Sequence, residues 1–549
     1  MKKIILSLLF LCPLLATAQM KVVAEGPSFD EPEDGCARIL MLKNGGTAFV
    51  RATKKDGIDI RLYDGQHKQI AVKTLDPDYG KLKAMSVEGM YDVNGEINLF
   101  ISEVQDAVPV LYRLRVDEQT GALKDLKTIA TLNKTNMGQG YAMAFGGVPM
   151  PDFIVRKDPA SDSYAVVRYN TFESDRSKRV ELIQYGADGS EVARNFLSSP
   201  EGKYKYTQIL DFATVGNRVY GLLYSYNTAS SGGAANELLL ATVENGQVSY
   251  ANVGKSISRR IDDGILRYNP VTKNLIFLTS ELTGVKQGWN KATAEYSIQF
   301  SVIDPENPGI KASLDFRRSS IAAKYRKIFR GKDDKFAPMP EQLYINNDGS
   351  FTVLLEEVTQ IERTTMRNGI PSGTHNAGVM LGSAAVITFN EDGTERSAVL
   401  IPKSQTTYAG MFDGVSEYVS AGSFYIAVRD NGASTLSAGN QYKSLSYFNG
   451  KNKSYVMLND IEENAERVEK GKLTNIRGVG DCDAWVYDLT TEVSAKLPIP
   501  QRSPLFTKER SKDRNLALFN LSGFDREAGV YATLKLERGK GVKMVWMSE

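Results

Sequence analysis

The 549-residue chain is poor in the side chains that do most metal and nucleophilic chemistry, with two histidines, three cysteines and three tryptophans. His67 and His375 alone exclude a histidine-cluster metal site and leave few candidates for a Ser-His-Asp arrangement. The cysteines, Cys12, Cys36 and Cys482, are too few and too far apart for a zinc site. No P-loop or dinucleotide-binding glycine pattern occurs, and no cofactor is expected. Charge of one sign is lacking too. Lys2 and Lys3 account for the whole surplus of 67 basic over 65 acidic residues, so nucleic acid is not an expected partner. Long apolar runs are confined to the start, and no transmembrane span is expected in the mature chain.

That start reads as an export leader. Lys2 and Lys3 precede an apolar run from Ile4 to Leu15, and Ala16-Thr-Ala18 supplies small residues for cleavage before Gln19. About a dozen apolar residues fall short of the ~20 that span a bilayer. Residues 1–18 are therefore assigned to a signal peptide and 19–549 to one folded domain, exported to the periplasm, the outer surface or the medium. Leu9-Phe-Leu11 before Cys12 does not suit lipid attachment. Cys36 and Cys482 are left with two readings, a disulfide in an oxidising compartment or two buried free thiols.

What the chain has in abundance is one hairpin pattern. Val386 to Ile401 is a strand, a polar turn on Asn390, Asp392 and Gly393, and a second strand, and variants recur along the whole length. Units of about 45 to 70 residues carry roughly four short strands and two turn signals each. Lys43-Asn-Gly-Gly46, Tyr91-Asp-Val-Asn-Gly-Glu96 and Gly186-Ala-Asp-Gly189 are examples of turns whose residues tolerate positive φ. The expected fold is an all-β propeller of about eight four-stranded blades, with seven as the runner-up and a tandem pair of sandwiches as the alternative. Lys21 to Ala24 is expected to join the last blade and close the ring.

In such a ring the long connections emerge on one face. They are Asn133 to Met150, Asn227 to Asn236, Thr283 to Ala294, Arg317 to Gln342, Glu362 to Gly382, Asn431 to Asn440 and Asp460 to Gly480. Candidate binding residues sit there. Tyr141 and Phe145 lie in a glycine-rich stretch that suits an aromatic platform or simple packing. Trp289 has equal claims to ligand stacking and to burial. Ile321, Tyr325, Ile328 and Phe329 have helical spacing within a short helix expected near 318–330, whose Lys324, Arg326, Lys327 and Arg330 suit an anionic partner or a solvated face. His375 lies in the loop Glu362 to Gly382, expected to be flexible.

Carboxylates are plentiful but most lie in turns, where Asp serves the backbone, and no catalytic pair stands out. Two functions follow. The first is a non-catalytic propeller binding a protein or glycan of the cell envelope through its long-loop face. The second is a carboxylate-dependent polysaccharide hydrolase or lyase with its site in the central funnel. Ala16-Thr-Ala-Gln19 and Val456-Met-Leu-Asn-Asp-Ile-Glu-Glu-Asn464 resemble segments of exported propeller-like proteins of Bacteroidetes-type bacteria. That resemblance implies export and a propeller, and it carries no activity.

Overall fold

Alternating apolar and polar residues, broken by Asn, Asp and Gly, make each unit a four-stranded antiparallel meander, and eight meanders make a β-propeller. The computed structural model describes residues 20–549 except 79–81, 83–84, 146–147, 149, 229–230, 232–234, 255–260, 289–290, 316–319, 330–335, 337, 368–369, 409–433, 437–440, 493–496, 508–514 and 538–540. The blades begin with Cys36–Met41, Ser86–Val93, Asp152–Lys157, Tyr206–Val215, Ile261–Tyr268, Pro338–Ile345, Leu445–Asn449 and Ala517–Asp525. Most of these first strands touch the next from blade to blade, and together they form the inner ring. Fourth strands such as Gln69–Leu75 are largely exposed and form the rim.

Eight apolar clusters occupy the described structure, one at each blade interface. Between blades 1 and 2, for example, Val50, Ile60 and Leu62 pack on Leu99, Ile101 and Leu114. A strand whose two faces both meet neighbours reads as a nearly continuous apolar run, as in Arg218–Tyr226, where every residue after Arg218 is buried.

The ring closes through the N-terminus. Lys21–Asp30 runs antiparallel to Gly541–Ser548 as the outer strand of blade 8, with Val22 opposite Met547. Behind this seam Trp546 is fully buried, edge-on to Tyr63 at 5.0 Å and stacked on His67 at 4.7 Å. Its Nε1 donates to Thr47 Oγ1 at 2.9 Å. The expected closing strand is thus present and longer than Lys21 to Ala24. Cys36 and Cys482 are not joined in a disulfide. Cys482 is buried in the blade 8/1 cluster, while Cys36 packs against the blade 1/2 cluster.

The hairpin Val386 to Ile401 is the outer half of blade 6. Its turn is held by Asn390 N–H to Thr394 O at 2.8 Å and Gly393 N–H to Asn390 O at 2.9 Å. Gly393 has φ +82°, and a Cβ there would stand 2.7 Å from Ala312 Cβ, so glycine is required on both counts. Asp392 accepts from Thr394 N–H, which accounts for its carboxylate as turn chemistry.

Trp546→Ala removes the largest side chain of the seam. It is expected to cost about 3–5 kcal/mol, read as a lower thermal midpoint, whereas Ile70→Ala on an exposed rim strand is expected to stay within ~0.5 kcal/mol.

Candidate functional site

With the first strand innermost, turns between strands 1 and 2 and between 3 and 4 lie on one face, and the other connections lie on the opposite, long-connection face. Two of the expected loops there are strands instead. Thr283 to Ala294 belongs to a ribbon of Leu275–Gly288 and Lys291–Ile303, and Glu362 to Gly382 to one of Phe351–Arg367 and Ile370–Phe389. The pairing continues to Gly288 opposite Lys291 and to Arg367 opposite Ile370. Asn368-Gly369 between the last pair is a strong two-residue hairpin signal that a reading weighted toward loop composition overlooks. His375 is therefore a strand residue, opposite Arg363. Trp289 and Arg330 lie outside the described residues, as do the side chains of Phe145 and His375.

Among the described residues three α-helices decorate this face. Helix α1 (Met137–Phe145) joins blades 2 and 3, in a stretch expected to be a glycine-rich loop. A capping box explains it: Gln139 N–H donates to Asn136 Oδ1 and Asn136 N–H to Gln139 Oε1, both at 2.9 Å. The Asn-x-x-Gln spacing was visible in the sequence. Met137 and Tyr141, one helical turn apart, are 80% and 62% exposed, and Met150 further along the connection is 68% exposed. Val104, near the end of the second strand of blade 2, is also exposed on this side. The other large exposed apolar residues, such as Val72, Val192 and Ile310, are mostly on rim strands.

Helix α2 (Ile321–Ile328) matches the expected short helix. Ile321, Tyr325, Ile328 and Phe329 are buried in the blade 5/6 cluster. Ser320 N–H donates to Glu395 at 3.1 Å and ties the helix to the rim of blade 6. Burial, reinforced by Glu357, pushes the Tyr325 hydroxyl up to about 12. Arg326 and Lys327 are exposed and Lys324 is half-buried, so the helix has an apolar packed side and a basic wet one. Helix α3 (Asn464–Glu469) lies between the second and third strands of blade 7.

The inner strands hold a set of charges, Glu88 and Asp211 buried among them, that no motif announces. Asp211 accepts from Arg156 Nε and Arg267 Nη1, each at 3.0 Å, and from Leu266 N–H at 3.0 Å, so it links blades 3, 4 and 5. Glu88 of blade 2, which accepts from Ser102 Oγ at 2.7 Å, and Asp152 of blade 3 lie close enough to repel. Burial raises the Glu88 carboxyl, against hydrogen bonds from Ser102 and Ser86 and the charge of Arg156. Asp152 is raised by removal from bulk water and then by Glu88, although its residue keeps solvent access, which tempers the shift. The two titrate as a pair. Their juxtaposition follows from which blades are neighbours, which explains why sequence reasoning missed it.

Part of the inner ring is covered. Ser434–Thr435 pairs with Cys36 and Ala37 on the innermost strand of blade 1, and Leu436 N–H donates to Gly35 O at 2.9 Å. Gln441 and Tyr442, both buried, donate to Glu31 Oε1 at 2.8 and 2.6 Å. The described residues of this segment lie against blades 8 and 1. Among the described residues no group of three or more His, Cys, Asp or Glu is placed to hold a metal ion, and no helix is long and apolar enough to cross a membrane.

A crevice of about 170 Å³ opens between blades 6 and 7 beneath helix α3. Pro402, Val468, Leu497, Ile499 and Pro500 line it, with Asp460 and Arg502 at its polar end.

No family model matches the chain, and no curated protein does. Solved structures with a partial likeness include the polysaccharide lyase Uly1, at 8% identity and TM-score 0.34 over 87% of this chain and 92% of that one. An α-L-arabinanase of Penicillium chrysogenum solved with arabinobiose has 9% identity and TM-score 0.28 over 70% and 98%. One from a study of two prolyl endopeptidases has 10% identity and TM-score 0.33 over 79% of this chain, which spans 55% of that protein's length. Likenesses this weak carry no functional argument.

The raised carboxyls set a pH dependence. Groups held protonated in the fold contribute stability that is complete below the ordinary Asp value of 3.8 and is lost as pH rises through the raised value. The thermal midpoint of Asp152→Asn is therefore expected to exceed that of the wild type progressively from pH 5 upward, measured by thermal melts across about pH 4–9. Parallel profiles would refute the coupling.

Proposed function

We propose that this protein is an exported binding platform that takes a protein partner on its long-connection face, with the α1 region as the contact. The observation that carries this reading is the exposure of Met137 and Tyr141, one turn apart on α1, and of Met150 in the same connection, each more than half exposed. A rigid propeller has no packing need to leave them in water, and Met and Tyr are enriched where one protein meets another. The ribbons of blades 5 and 6 extend the same face. Export rests on the leader Lys2 to Ala18.

The double variant Met137→Lys, Tyr141→Ala is expected to fold with an unchanged melting profile and to lose a species that wild-type protein retains from cell-envelope extracts. Retention of the same species by both would overturn the reading.

The paired carboxyls of Glu88 and Asp152 favour a second reading, a polysaccharide hydrolase or lyase acting at the inner ring. Both carboxyls are raised, and two acidic groups at one site are what acid–base cleavage of a glycosidic bond requires. Its test is reducing-end or unsaturated-product release from a polysaccharide panel. Asp152→Asn is expected to lower any such activity by about 100-fold or more, and activity indifferent to that change would remove the pair from consideration.

A further inference from the structure

The crevice between blades 6 and 7 is a formed site before anything enters it. Asn464, buried at the start of helix α3, donates to Asp460 Oδ1 at 2.7 Å and accepts from Thr474 N–H at 2.8 Å, which fixes the helix at both its entrance and its return. Arg502, nine-tenths buried, donates to Asp460 Oδ2 at 2.9 Å and to the carbonyls of Ile461 and Glu462 at 3.2 and 2.6 Å. Its guanidinium lies over the Trp485 ring at 4.2 Å. The Arg502–Asp460 pair is thus neutral as a unit and holds helix α3 down, while the buried Arg502 Nε has no hydrogen-bond partner.

What remains for a ligand is an apolar slot with one charge at its margin. Ala465, Val468 and Glu469 share one side of helix α3, so the helix presents Glu469 beside the aliphatic wall. Glu469 is exposed and makes no ion pair among the described residues. The volume is that of one small group, since a ~150 Å³ cavity holds a benzene-sized molecule. We propose that this crevice binds a primary alkylammonium group, its carbon stem along Val468, Leu497 and Ile499 and its ammonium at the Glu469 carboxylate. Long cationic side chains partition in this way, stem on apolar surface and head at the polar margin. An anion would meet Glu469 unfavourably, and a purely apolar ligand would leave that charge unused. The same chemistry is carried by a lysine of a polypeptide and by a free diamine. Blade 7 lies across the ring from α1, so this site is independent of the partner contact proposed above.

Ligand-observed NMR titrations with N-acetyl-lysine methylamide, diaminopentane and the uncharged N-acetyl-norleucine methylamide test it on the full chain. Both amines are expected to bind in the millimolar range and the uncharged analogue about tenfold more weakly. Glu469→Gln is expected to remove that difference, and Ala465→Trp, on the exposed wall, to block all three while the melting profile stays unchanged. Tighter binding of the lysine derivative than of the diamine identifies a polypeptide side chain as the natural occupant, and the reverse order a free amine. Absence of amine binding at millimolar concentration, or amine binding indifferent to Glu469→Gln, overturns the proposal.

Discussion

Each blade is a sheet with two apolar faces, and neither face can be left in water. That single requirement makes the ring: a four-stranded meander of this kind is stable only when it has a neighbour on either side, and a row of them is satisfied only when the last meets the first. The eight interface clusters are the physical record of this condition. The seam is where it is hardest to meet, because blade 8 is assembled from two distant stretches of chain, Gly541–Ser548 and the strand Lys21–Asp30 that leads into blade 1. Trp546, Tyr63 and the strand Lys21–Asp30 supply by packing and backbone pairing what chain connectivity supplies elsewhere.

The polar staples between blades add direction to that packing. Lys43 N–H to Asp92 at 2.7 Å, Asn269 Nδ2 to Gly349 O at 2.7 Å and Asn459 Nδ2 to Ala517 O at 2.7 Å each cross one interface. A buried hydrogen bond adds only about 0.5–1.5 kcal/mol, but a slipped interface would leave both partners unmet, so these contacts specify registry more than they add stability. The same logic holds within the connection after blade 6, where fully buried Lys403 is paired with Glu356. Charges buried in this way belong to the scaffold, which narrows the search for functional groups to those the scaffold does not use, such as Glu469 and the exposed residues of α1.

Local features of the fold were legible in the sequence because they are set by neighbours in the chain. Blade 3 runs from Asp152 to Leu197, and its apolar alternation and its turn at Gly186 to Gly189 are legible in the sequence. The apolar side of α2 was legible from the spacing of Ile321, Tyr325 and Ile328. Polar, glycine-rich composition misled where local pairing overrides it: Gly373 and Gly378 sit in a long strand, and Gly138 and Gly140 in a capped helix. The site features were largely hidden. Glu88 and Asp152 are brought together by neighbouring blades, and Arg502 reaches Asp460 across a helical insertion, so no spacing rule connects either pair.

Closing the ring with the first strand also orders events in time. Val22 must wait for Met547, on the far side of all the other blades in chain order, before the seam can form. Until then one face of blade 1 and one of blade 8, with Tyr63 and Trp546 among their side chains, stand open. Closure is therefore late and long-range, and an unfinished ring offers another chain the surface that the strand Lys21–Asp30 is meant to cover.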